Sequence, residues 1–148
     1  MSSHESLVLF RRVPAGLPRR ELREFAELLR KDVAGGREFC CLITDDREWR
    51  RLNRDFRSKD YPTDVLSFPS GEAEGSLGDI AVSCGRAAEQ AGEFGHSLSG
   101  EIRILMLHGI LHLIGMDHES DSGEMSRAEK RWRKHLQLPA VLTERARV

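Results

Sequence analysis

Apolar positions along the chain change period several times, and each change marks an element. Residues 7–10 (LVLF) form a short apolar run, which predicts a strand. Pro18 then opens a helix through about Asp32, with Leu22, Phe25, Leu28 and Leu29 on one face, and Gly35 and Gly36 end it. Residues 38–43 (EFCCLI) predict a second strand. Thr44 or Asp45 can cap the next helix, where Trp49, Leu52 and Phe56 recur at i, i+3 and i+7. That spacing turns the aromatics inward and Arg47, Arg50, Arg51 and Arg54 outward.

Pro62 breaks the helical pattern, and VLSF at 65–68 predicts a third strand. A turn-rich loop, PSGEAEGS at 69–76, leads to a fourth strand, LGDIAVS at 77–83, so the pair can form a long-looped hairpin. Residues 84–94 read as helix, and 99–114 (SGEIRILMLHGILHLI) as the most apolar helix of the chain. A last helix near 122–136 carries Met125, Ala128, Trp132 and Leu136 on one face. The order of elements predicts one α+β domain over residues 1–148, a mixed four-stranded sheet packed with about five helices.

Composition narrows the class. Over 148 residues, 39% hydrophobic and 32% charged is the balance of a globular chain that can bury a core. No apolar run approaches the roughly 20 residues that span a bilayer, and MSSHESLVLFRRV has no signal-peptide core. A cytoplasmic protein with no membrane partner is the expectation. Three cysteines, Cys40, Cys41 and Cys84, show neither a disulfide framework nor C-x-x-C spacing and are expected to be structural thiols.

The net charge of −1 predicts no nucleic-acid partner, but its distribution is uneven. Residues 47–59 hold Arg47, Arg50, Arg51, Arg54, Arg57 and Lys59 against Glu48 and Asp55. Residues 127–134 hold Arg127, Lys130, Arg131, Arg133 and Lys134 against Glu129. Such clusters are either solvated helix faces or a local surface for phosphates.

The chemistry concentrates in HGILHLIGMDH at 108–118. On a helix, residues i and i+4 lie about 6 Å apart along the axis, one above the other. His108 and His112 can therefore reach one metal ion, and Gly115 lets the chain turn back so that His118 joins them. A single histidine would be read as a core or surface residue, but half of the six histidines fall in this stretch. Three nitrogen ligands leave a coordination position open, which suits catalysis by a metal-bound water. His4, His96 and His135 lack such spacing and are expected to be solvated. The H-x3-H-x5-H spacing resembles that of metzincin proteases, whose motif begins H-E-x-x-H with the Glu as base. Here that position is Gly109, so a metal-dependent peptidase would need its base from elsewhere.

Three segments in order, LNRDFRSKDYPTDVLSFP at 52–69, LGDIAVS at 77–83 and HGILHLIGMDH, resemble the YbeY-type endoribonucleases, bacterial rRNA maturation factors. The resemblance implies a single-strand-specific endoribonuclease acting on the 3′ region of small-subunit (16S) rRNA and on defective ribosomes. It implies one divalent ion, Zn2+, at His108, His112 and His118, with Arg57 and His112 as catalytic residues. It further implies small-subunit components and an rRNA-processing GTPase as partners. Arg57 offers a planar fork of donors for phosphate oxygens, unless it only pairs with Asp55 or Asp60. Asp117 can orient a ligand, while Asp64 and Asp79 begin strands and more often serve turns, so the general base stays unassigned. Tyr61 and Phe68 are the aromatics best placed to stack on bases, because Trp49, Phe56 and Trp132 sit at core spacing. The alternative to both enzymes is a ribosome assembly factor with a structural metal.

Overall fold

A computed structural model of the chain describes residues 7–56, 65–70, 76–116 and 122–138. Its elements run β1 (Val8–Phe10), α1 (Arg19–Asp32), β2 (Glu38–Thr44), α2 (Asp46–Phe56), β3 (Val65–Pro69), β4 (Ser76–Ser83), α3 (Cys84–Phe94), α4 (Leu98–Ile114) and α5 (Glu124–Leu136). Four strands and five helices match the sequence reading, within a residue or two at each end. The sheet order is β1-β2-β4-β3. β1 pairs parallel to β2, and β2 parallel to β4. β3 runs antiparallel to β4 with Val65 opposite Val82, the hairpin pairing the sequence suggested.

Strand alternation sends side chains to two separate apolar layers. Phe39, Cys41, Ile43, Val65, Ile80 and Val82 join the main core with residues of α1, α3, α4 and α5. Leu66 and Ala81 face the other way, onto Trp49 of α2, with Leu42, Leu52 and Phe68 around them. The Trp49 indole donates to Ala81 O at 3.1 Å, and the Arg86 guanidinium lies 4.5 Å from its ring centre. One face is covered by α1, α3, α4 and α5 and the other in part by α2, which is why much of each strand reads as an apolar run.

α4 is the central helix. Its residues 104–111 are buried without a break, so it has almost no polar face. Ser97 caps its start by accepting from Gly100 N at 2.9 Å. Gly115 ends it with φ of 114°, the left-handed turn expected there. Among the described residues no single helix is long and apolar enough to cross a membrane.

The cysteines are free thiols, with Cys41 and Cys84 buried. Basic residues of α2 and α5 lie mainly outward. Arg50 pairs with Asp46 at 2.9 Å, and Arg11 and Arg51 converge on the nearly buried Glu48 at 2.9 and 3.3 Å.

Candidate metal centre

His108 and His112 stand one turn apart on α4, as their spacing requires. His108 is almost fully buried and His112 half-buried. Their rings meet edge to face, with centroids 4.7 Å apart and planes at 72°. The two Nε2 atoms approach to 3.1 Å. Two imidazoles on one tetrahedral zinc, each at about 2.05 Å, bring their nitrogens to about 3.3 Å. The pair therefore fits a shared ion, and its donor chemistry suits zinc and other divalent transition metals.

The other nitrogen of His108 has a partner that periodicity did not reveal. Its Nδ1 is hydrogen-bonded to Oε2 of Glu129 on α5. Glu129 has no exposure and sits with Met125 and Ala128 on the buried stripe of that helix. In the sequence it is one acid among basic neighbours. The available signal was its place four residues after Met125 and three before Trp132, a carboxylate on an otherwise apolar face.

Three expected participants, His118, Arg57 and Asp117, lie outside the described residues, as do Asp64 and Tyr61. Among the described residues no group of three or more His, Cys, Asp or Glu side chains gathers as a metal site, so the described centre is the His108–His112 pair. Asp79 is described and lies away from it. Ile80 faces α4, so its neighbour Asp79 points to the α2 side, where it lines an apolar groove of about 420 Å³ with Leu42, Leu52 and Phe68. Phe68 packs beside Trp49 and is half-buried there. The arginines of α2 occupy that same side, across the sheet from α4.

Gly109, between the two histidines, is pressed against the sheet. A β-carbon there would meet Ile80 Cγ2 and Val65 Cγ2 at 3.0 Å, and Ser67 Oγ donates to its carbonyl at 3.4 Å. The other two described histidines, His96 and His135, lie away from the pair. His135 contacts Asp32 at 3.1 Å on the surface, and His96 packs near Phe94.

Comparison with known proteins gives one answer. The family model described as endoribonuclease YbeY matches residues 18–137. The protein named endoribonuclease YbeY from Solibacter usitatus is 61% identical over 146 residues, covering 98% of each chain. Its namesake from Koribacter versatilis is 46% identical, over 94% of this chain and 91% of that one. Among solved structures, the solution structure of TM1509 from Thermotoga maritima superposes with a TM-score of 0.57 at 30% identity, covering 84% of this chain and 85% of that one.

Proposed function

The chain belongs to the endoribonuclease YbeY family, and from that premise we propose that it is a metal-dependent endoribonuclease for single-stranded RNA. The observation that carries the metal in this reading is the His108–His112 pair, with Nε2 atoms 3.1 Å apart. His118 is the proposed third ligand. A divalent ion, zinc in this proposal, supplies a Lewis acid and a bound water of lowered pKa.

The protein's own contribution follows from its residues. His108 and His112 would hold the ion from α4, a helix buried along most of its length, which would set its place relative to substrate. His112 is the more exposed of the two and so lies nearer the substrate side. Arg57 is the proposed clamp, its fork binding phosphate oxygens and opposing the charge that builds there. The 3′ region of 16S rRNA, defective ribosomes, small-subunit components and an rRNA-processing GTPase complete the proposal, with the cytoplasm as its place. Support for these lies in the sequence resemblance.

The peptidase reading loses ground at Gly109. Its missing side chain removes the metzincin base, and its contact with Ile80 and Val65 leaves no room for one. The test is purified protein on single-stranded RNA, duplex RNA and casein, with and without chelator. Single-stranded RNA alone should be cut, with cleavage lost on chelation and in His112→Ala, and strongly reduced in Arg57→Ala at unchanged metal content. Undiminished cleavage by folded His112→Ala would sink the proposal.

A further inference from the structure

Buried carboxylates on apolar helix stripes are expensive. Desolvating a charge costs several kcal/mol, on the order of what its best partner returns. Glu129 nevertheless lies at no exposure between Met125, Ala128 and the main core, and its oxygen meets Nδ1 of the nearly buried His108. An apolar residue of similar volume would serve packing at least as well. Removing Glu129 would take away the acceptor that His108 Nδ1 meets, so its reason lies with that histidine rather than with the apolar core around it.

The contact does settle which nitrogen of His108 faces the partner histidine. A neutral imidazole carries one N–H, and a carboxylate can only accept. With the proton on Nδ1 directed to Glu129, Nε2 presents its lone pair toward His112. The neighbouring negative charge also makes that lone pair a stronger donor. We propose that Glu129 is the positioning residue of the metal centre: from α5 it fixes the ring orientation and tautomer of His108 on α4, so that the first ligand is set before metal arrives. The inference rests on the metal-site part of the functional reading and needs no RNA to test.

Three chains decide it: wild type, Glu129→Gln, which keeps an acceptor oxygen but no charge, and Glu129→Met, which keeps the volume but no acceptor. Binding of Zn2+ and Co2+ is measured by competition with a chromogenic chelator, and the His108 tautomer by 15N–1H NMR of metal-free protein. Affinity should fall about 10–100-fold in Glu129→Met, with Glu129→Gln in between, read on variants whose fold is checked by circular dichroism. The NMR spectrum should show the proton on Nδ1 in wild type and a mixed or reversed tautomer in Glu129→Met. Metal affinity within twofold of wild type in the Met variant would overturn the proposal. Should that variant not fold, the same result in Glu129→Gln would overturn it. A wild type that binds metal but cuts no RNA defeats the nuclease reading and leaves this one standing. A wild type that binds neither ion defeats both.

Discussion

Gly109 touches Ile80 so closely that the first atom of any side chain is already at the limit: a β-carbon would stand 3.0 Å from the Ile80 Cγ2 methyl. This is where α4 lies down on the β3–β4 pair, with Val65 at the same distance on the other side. The glycine that separates the two histidines is thus a packing requirement of the helix that carries them.

Substitution at that contact weighs two opposing terms. Overpacking a tight core costs about 1–3 kcal/mol, and helix propensity returns up to about 1 kcal/mol on replacing glycine by alanine. Gly109→Ala should lose about 1–2 kcal/mol in urea unfolding at unchanged slope. Gly109→Glu, which restores the protease motif, should fail to fold stably and show no casein hydrolysis. An alanine variant more stable than wild type would show that Ile80 and Val65 yield freely.

Metal should stabilise the folded chain through His108 and His112. At a free concentration 100 times its dissociation constant, a ligand of the native state adds about 2.7 kcal/mol, or roughly 5–10 °C in Tm for a domain of this size. Zinc added to stripped wild type should raise Tm by that amount, and His112→Ala should abolish the rise. An equal rise in the variant would mean the ion binds elsewhere.

Trp49 anchors the smaller core on the other side of the sheet. Its buried indole donates to Ala81 O at 3.1 Å. Trp49→Phe leaves that carbonyl without the donor and opens a small cavity, a loss of about 2–3 kcal/mol. Chemical denaturation followed by circular dichroism measures it. Metal affinity should not change, because Trp49 and the histidines lie in different layers.

Cys41 gives a pH dependence with a definite sign. Burial, aided by the neighbouring Cys40, pushes its thiol well above the ordinary value of 9.0. Folded Cys41 therefore stays protonated where the unfolded chain has ionised. The folded state then binds more protons, and stability falls as pH rises above about 9, by up to about 1.4 kcal/mol per pH unit for this one group. The difference between wild type and Cys41→Val from about pH 8 to 10.5 isolates this contribution, because Cys40 and Cys84, also pushed up by burial, act in both chains. In the native protein Cys41 should also resist thiol reagents at pH 8, and rapid labelling would contradict its burial.

Much of this molecule is written in short stretches of the chain. Helix and strand identities follow from apolar period, because a face is buried only if its residues recur at 3.6 or 2 positions. The His108–His112 pairing and the Gly115 turn are equally local, set by one helical turn and one left-handed residue. Sequence alone therefore determined the elements and the pairing of these two histidines. The tertiary structure decided what comes from far along the chain. It brought Glu129 to His108 across 21 residues, since only the docking of α5 on α4 can say which buried position meets which. It set the α2 arginines and Asp79 on the side of the sheet away from α4, because strand order and facing are properties of the sheet as a whole. It also gave Gly109 its reason, a contact with Ile80 that no spacing along the chain encodes.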